Sequence, residues 1–127
     1  MEQVKWISHK GKDILFGGYN GIKDQDEYKR LIALATELSI KEINKRCKEP
    51  INSTLMLVDL RDSVISAETV SAFKENAKRI HPYIKKSAVL GIHGVRKILL
   101  ESIIWFSGLD AKPFEDMEKA KDWLVEE

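Results

Sequence analysis

Two short apolar runs constrain the fold more than any other feature of this sequence. They cover residues 54–60 (TLMLVDL) and residues 87–92 (SAVLGI), each between polar neighbours. Continuous apolar runs of this length are typical of strands that are covered on both faces, as in a parallel sheet. We therefore expect two buried strands in the middle of the sheet, with helices packed against them.

The N-terminal part of the chain predicts a β-hairpin followed by a helix. Residues 4–18 carry two strand patterns, and we expect the turn between them at Gly11. Either Asp24 or Asp26 can cap the helix that follows. The helical pattern becomes ambiguous at residues 39–42, which either restart the helix as a capping box or simply continue it.

The remainder of the chain alternates helix and strand patterns. We expect a second helix to begin at Ser66 and a third to cover about residues 94–106. Residues 111–114 lie where a last edge strand belongs, and Asp116 caps a final helix. Such alternation favours right-handed crossovers and a largely parallel sheet with helices packed over it. The sequence therefore predicts a single α/β domain over residues 1–127, with a mixed sheet of about five strands and about four helices.

Charge and cysteine content limit the possible partners and compartments. The chain has 21 basic and 20 acidic residues, which gives a formal charge of +1. We therefore do not expect the strongly positive electrostatic potential that attracts nucleic acid or an anionic membrane. Cys47 is the only cysteine, which excludes an internal disulfide and favours a reducing compartment. The start lacks the apolar core of a signal peptide, and no apolar run approaches the roughly 20 residues of a transmembrane helix. We therefore expect a cytoplasmic protein without a transmembrane segment.

Short motifs in this element order point to a known family. They are LVDLRD at residues 57–62, AVLG at residues 88–91 and KPFED at residues 112–116. Together they resemble the STAS-like and STAS/Sec14-like small proteins, relatives of bacterial anti-sigma factor antagonists, over nearly the whole chain. The resemblance implies a STAS-like fold and a regulatory role in signal transduction.

The resemblance also implies a location for partner binding. In the antagonists, a Ser or Thr at the start of the helix after the central strand is phosphorylated, within an Asp-Ser-Ser-Gly-like stretch. Residues 65–70 here read ISAETV, with no glycine and no Asp-Ser pair. Ser63, Ser66 and Thr69 can each accept a phosphate, but none lies in a matching motif. The location is therefore carried over as an interaction surface, without the phosphorylation chemistry.

Two polar segments are candidates for binding a protein partner or a small anion, because each follows a predicted strand at the edge where α/β sheets place their ligands. The first comprises Asp59, Arg61, Asp62, Ser63, Ser66 and Thr69, and the second comprises His93, Gly94, Arg96 and Lys97. We call these residues together the polar rim. Backbone N–H groups at the start of a helix can bind an anion, and His93 would add a pH-sensitive donor.

Structural explanations for the same residues stay open. Asp59 can simply pair with Arg61, and the second segment can be an ordinary turn followed by solvated cations. A receiver domain would place an aspartate like Asp59 at a strand end, but it also needs an acidic pair after its first strand. Residues 14–18 supply none.

The third predicted helix is more apolar than one buried stripe requires. If Val95, Leu99, Ser102, Ile103 and Phe106 face the sheet, then Leu100, Ile104 and Trp105 point elsewhere. Such a surplus indicates burial under the last helix, a homodimer surface, or an apolar pocket for a lipid-like ligand. Trp105 would be the anchor in either functional case.

Catalytic and metal-binding patterns are weak in this sequence. His9, His81 and His93 are scattered, so a zinc site is not expected. No Gly-x-Ser-x-Gly nucleophile elbow accompanies the Ser, His and Asp residues. We therefore expect no metal, no cofactor and no catalytic residues. The leading hypothesis is a non-enzymatic regulatory or binding module. The alternatives are a carrier of an apolar ligand and a small enzyme with an unrecognised site at the strand ends.

Overall fold

The computed structural model describes residues 4–46 and 52–126. Five strands and four α-helices, with one short 3-10 helix, make up these residues: β1 (Val4–His9), β2 (Lys12–Gly18), α1 (Gln25–Arg46), β3 (Thr54–Asp59), α2 (Ala67–Ile80), the 3-10 helix His81–Tyr83, β4 (Ile84–Leu90), α3 (Arg96–Ser107), β5 (Ala111–Phe114) and α4 (Met117–Val125). The predicted α/β class and the order of elements are confirmed. None of the helices in the described residues is long and apolar enough to cross a bilayer.

The strands form one mixed sheet in the spatial order β1-β2-β3-β4-β5. β1 and β2 are antiparallel, and β2 to β5 run parallel to one another. The hairpin turns through Lys10 and Gly11, which both have positive φ angles, 51° and 80°. Two positive φ values are what a tight two-residue hairpin turn requires, so glycine at the second position removes steric strain. The predicted hairpin is therefore confirmed.

α1 is a single continuous helix, which settles the ambiguity at residues 39–42. Its first turn is capped by the Asp24 carboxylate, which accepts a hydrogen bond from the Glu27 backbone N–H at 2.9 Å. The helix runs without a break to Arg46. Cys47 lies outside the described residues.

The sheet has helices on both faces. Ile14, Leu57, Ala88 and Leu90 pack with Leu124 of α4 in one cluster, and we call this side the α4 face. The alternate strand residues point the other way, toward α1, α2 and α3, and we call that side the three-helix face. Helices α1 to α3 share a face because successive parallel strands are added in one direction by right-handed crossovers.

The predicted orientation of α3 is wrong in part. Val95 and Phe106 do not face the sheet, since they are 76% and 44% exposed, whereas Leu100 is buried in the core at 6%. The helix begins only at Arg96, and its inward side runs through Leu100, Ile104 and Ser107 at helical spacing. Burial under the last helix is also wrong for Trp105, which is 87% exposed, because α4 lies on the opposite face.

Candidate functional site

A cavity of about 100 Å³ lies between the sheet and the three crossover helices. Its sheet side is built from alternate residues of β2 to β5, among them Leu15, Met56, Val58, Ser87, Val89 and Ala111. Its helix side includes Ile32, Ala35, Ala77, Leu100 and Ile104. An engineered apolar cavity of about 150 Å³ in another protein stays dry and binds benzene, so a space of this order is large enough for a small organic molecule.

The cavity wall is uncharged, because no Asp, Glu, Lys, Arg or His is among the described residues that line it. Two of its polar side chains are already hydrogen-bonded within their own helices. The Thr36 hydroxyl donates to the Ile32 carbonyl at 2.9 Å, and the Asn76 amide donates to the Ala72 carbonyl at 2.8 Å. Tyr19 adds a ring to the wall, and burial raises the pKa of its phenol, which therefore stays neutral at physiological pH.

Ser87 differs from Thr36 and Asn76, because its side chain is buried without a partner among the described residues. It lies on β4 between Met56 and Ala111 of the neighbouring strands, and it is 1% exposed. Its backbone N–H donates to the Asp110 carbonyl at 2.8 Å, but its Oγ finds no hydrogen-bond partner among the described residues. A buried hydroxyl without a partner costs roughly 1–3 kcal/mol, so the placement of Ser87 carries an energetic penalty of this order.

Ser87 is a functional candidate that the sequence patterns did not predict, because it stands at the start of an apolar run. One signal in the sequence could have identified it. Ser87 places a hydroxyl on the same side of β4 as Val89, the side that faces the crossover helices.

The first polar segment is held mainly by internal bonds. Asp59 is 2% exposed, and its carboxylate accepts bonds from the Arg61 guanidinium at 2.9 and 2.8 Å and from the Arg61 backbone N–H at 3.1 Å. Burial by itself would raise the pKa of the Asp59 carboxyl, but the bonds and charge of Arg61 outweigh it, so the pKa lies below its usual value. Asp59 therefore serves as a paired carboxylate that orders the end of β3.

The hydroxyl groups of this segment are also engaged. Ser63, 3% exposed, donates to the Leu60 carbonyl at 2.7 Å and lies 2.8 Å from the Tyr28 hydroxyl. Ser66 and Thr69 form a capping box at the start of α2, each side chain accepting from the other's backbone N–H. Thr69 is fully buried.

The second polar segment is joined to the first by Arg96. Its guanidinium donates to the Gly91 carbonyl at 3.0 Å and to the Ser63 carbonyl. Gly91 itself has a φ of +91°, and a Cβ there would lie 2.6 Å from the Arg61 nitrogen, so only glycine fits where the two segments touch. The structure thus brings both segments of the polar rim to one edge.

The exposed part of the polar rim is smaller than predicted. Asp62, His93, Gly94 and Lys97 face solvent, together with the Arg61 side chain, which is 43% exposed. Arg61 and Arg96 already bind internal acceptors.

Comparison with known proteins identifies the fold. No protein-family model matches the sequence, and no curated protein matches it either. A crystal structure of an uncharacterized protein from the DUF3478 family with a SpoIIAA-like fold, from Shewanella loihica PV-4, is similar with a TM-score of 0.69. The two chains are 15% identical, and the match covers 96% of this chain and 92% of that chain. The fold is SpoIIAA-like. The STAS-like fold expected from the sequence is confirmed, because SpoIIAA-like is the fold of anti-sigma factor antagonists.

The apolar residues of α3 serve two different sides of this SpoIIAA-like domain. Leu100 and Ile104 line the cavity, whereas Trp105 does not. Val95, Ile98 and Trp105 are 76%, 67% and 87% exposed and follow one another at helical spacing on the outside. We call these three residues the outer α3 stripe.

Proposed function

We propose that the protein is a non-enzymatic STAS-like binding module that holds a small apolar ligand in the cavity of the three-helix face. The observation that carries this proposal is the cavity itself, about 100 Å³ with a wall that is uncharged among the described residues. The other face of the sheet is covered by a cluster of buried apolar side chains. The lone Cys47 favours a reducing compartment, so we place this module in the cytoplasm.

An apolar ligand would supply contacts that the empty cavity lacks. Side chains that face a void lose dispersion contacts on that side, and an apolar occupant restores them. The ligand must be small, since the volume is below the 300 Å³ or so at which ordinary drug-sized pockets begin.

α3 connects the cavity to the protein surface, so that a ligand bound in the cavity can change that surface. Its inner side contributes Leu100 and Ile104 to the cavity, and Arg96 at its start binds the Ser63 carbonyl in the polar rim. A ligand that shifts α3 would therefore also shift the surface formed by the rim and the outer α3 stripe. This arrangement suits a regulatory module in which ligand binding alters a contact surface.

The experiment is a comparison of two alanine-to-leucine variants on α1. Ala35 lines the cavity and is buried, whereas Ala33 is exposed on the same helix. Toluene at saturation should raise the melting temperature of the wild type and of Ala33→Leu, because a ligand that binds only the folded state stabilises it. Ala35→Leu fills the cavity and should abolish the rise.

The controls separate blocked binding from misfolding. Each variant must show the far-UV circular dichroism of the wild type, and Ala77→Val, a smaller filling change in the same cavity, serves if Ala35→Leu is overpacked. A wild-type melting temperature that does not respond to toluene contradicts the proposal.

A second candidate function is self-association through the outer α3 stripe. Its support is the exposure of Ile98 and Trp105 on α3 and of Val95 just before it, because large apolar side chains exposed together favour an interface. Sedimentation velocity over a concentration series should show a dimer that Ile98→Ser dissociates. Leu34→Ser, at another exposed apolar position, is the matched control and should leave the dimer intact. A wild type that stays monomeric at all concentrations contradicts this candidate.

Anion or partner binding at the polar rim stays a prediction, with weaker support than the cavity. Asp59, Ser63, Ser66, Thr69 and Arg96 are engaged in internal bonds, so changing them would alter the fold as well as any contact. Lys97→Ala is the cleaner test because Lys97 is exposed. It should weaken binding of inorganic phosphate if the start of α3 is an anion site, and unchanged affinity would contradict that assignment.

A further inference from the structure

We infer that the ligand of this cavity carries one uncharged hydrogen-bonding group and that the Ser87 hydroxyl binds it. The inference rests on the proposed function, and it adds the chemical class of the ligand and the residue that selects it.

The position of Ser87 supports this role. It lies on the sheet side of the cavity, flanked by Met56 on β3 and Ala111 on β5, both of which also line the space. Its Oγ is buried and unpartnered among the described residues, and Ser87 shares the three-helix side of β4 with Val89. A buried hydroxyl is rarely left without a partner in a folded protein, so this one on the cavity wall is available to a polar group of a ligand.

Two other polar side chains of the wall, Thr36 and Asn76, already have hydrogen-bond partners within the fold. Thr36 donates to the Ile32 carbonyl, and Asn76 bonds the Ala72 carbonyl and accepts from Arg79. Ser87 therefore has a free hydrogen-bonding capacity that these two side chains lack.

The wall also determines the charge of the ligand. With no ionisable side chain of opposite sign among the described lining residues, a carboxylate or an ammonium group would enter an apolar space unpaired. A serine hydroxyl both donates and accepts. The ligand class is therefore a small, mainly apolar molecule with one neutral polar group, such as an alcohol, a phenol or a ketone.

The experiment uses phenol and toluene, which have the same number of heavy atoms and differ in one hydroxyl. Affinities for both are measured by isothermal titration calorimetry on the wild type, Ser87→Ala and Thr36→Val. Ser87→Ala should weaken phenol about fivefold, the usual effect of one hydrogen bond, and should leave toluene unchanged. Thr36→Val removes a hydroxyl from the same wall whose bond is internal, so it should leave phenol within about twofold of the wild type.

Further measurements guard against a folding artefact and test the charge. Ser87→Ala should melt at or above the wild-type temperature, because it removes an unpartnered hydroxyl. Ser87→Cys, which keeps a weak donor of similar size, should lie between Ser87→Ala and the wild type in phenol affinity. Benzoate should bind at least tenfold more weakly than phenol, since its carboxylate would be buried unpaired.

The outcomes distinguish this inference from the proposed function. If toluene and phenol bind the wild type and Ser87→Ala leaves phenol affinity unchanged, the cavity remains a binding site and the role of Ser87 is overturned. Benzoate binding as tightly as phenol overturns the assignment of an uncharged ligand. If neither phenol nor toluene binds the wild type, both the inference and the proposed function are contradicted.

Discussion

The two faces of the sheet differ although the same strands build both. On the α4 face, Leu57, Ala88 and Leu90 are fully buried and pack with Leu124, which is 1% exposed. On the three-helix face, the alternate residues Met56, Val58, Ser87 and Val89 border the cavity. The α4 face packs against a single helix, whereas the three-helix face leaves a cavity between the sheet and helices α1 to α3.

Small side chains contribute to the space on the three-helix face. Small residues, among them Gly17, Ala35, Ala77 and Ala111, form part of the wall on the three-helix face. At one end the Tyr19, Tyr28 and Phe73 rings pack with centroids 5.6–5.7 Å apart and fill the space between β2, α1 and α2. The α4 face is thus closed by its buried side chains, whereas the three-helix face leaves a cavity, which is the space that we propose as a ligand site.

The largest effect is expected when a leucine on each face of the sheet is replaced by alanine. Leu90→Ala removes a side chain from the closely packed α4 face and should lower the free energy of unfolding by about 4 kcal/mol. Leu100→Ala enlarges an existing cavity, where the side chain already lacks some neighbours, and should cost about 2.5 kcal/mol. Urea denaturation of both variants checks the ranking. A cost at Leu100 equal to or above that at Leu90 would show that the three-helix face is as closely packed as the other.

The second prediction concerns the buried polar groups of the two regions. Asp59 is buried and paired with Arg61, whereas Ser87 is buried and unpaired. Asp59→Asn should lower the free energy of unfolding by about 1–2 kcal/mol at pH 7, allowing for the partial exposure of Arg61. Because the folded-state pKa of Asp59 is lowered, its stabilisation is present above the unfolded pKa of about 3.9 and is lost as the pH falls through the folded value.

The measurement is urea denaturation of Asp59→Asn and wild type between pH 7 and pH 3. The difference between them should begin to shrink below about pH 4, where Asp59 of the unfolded chain takes up a proton while the folded protein keeps its carboxylate ionised to a lower pH. Asp62→Asn, at an exposed aspartate of the same loop, should stay within about 0.5 kcal/mol of the wild type throughout. A difference at Asp59 that does not depend on pH would contradict the pairing.

The smallest effect is expected when a tryptophan on each side of the sheet is replaced by alanine. Trp123 on the α4 side lies against Phe114, with ring centroids 5.5 Å apart and the ring planes tilted by 44°, whereas Trp105 is 87% exposed on the outer α3 stripe. Trp123→Ala should cost about 1–2 kcal/mol, and Trp105→Ala less than about 0.5 kcal/mol. Thermal denaturation at low protein concentration checks both, since it excludes any contribution from association. A larger loss at Trp105 would place that ring inside the fold.

The sequence predicted the fold well because the signals for it are local. Apolar runs, the turn at Gly11 and the caps at Ser66 and Asp116 each depend on a few neighbouring residues. The sequence also predicted the pairing of Asp59 with Arg61 as one of two interpretations. Two residues so close in sequence can be expected to meet whatever the tertiary structure.

The cavity could not be predicted from the sequence in the same way. Periodicity tells which side of a helix faces the sheet, but not the spacing between the three helices and the sheet. The missing partner of Ser87 is a property of its surroundings in space, and the residues around it come from several elements. The sequence did not predict the orientation of α3 correctly because apolar residues lie on more than one side of this helix, so its periodicity favours no single inward stripe.

Binding on the three-helix face is tested most directly by methyl NMR of the wild-type protein during a toluene titration. The Leu, Ile and Val methyl groups report each face separately. We predict that the signals of Leu15, Val58, Val89 and Leu100, which border the cavity, shift progressively with toluene. The signals of Leu57, Leu90 and Leu124 on the α4 face should stay in place. Equal shifts on both faces, or no shift on the three-helix face at saturating toluene, would contradict the proposal that this face is a ligand site.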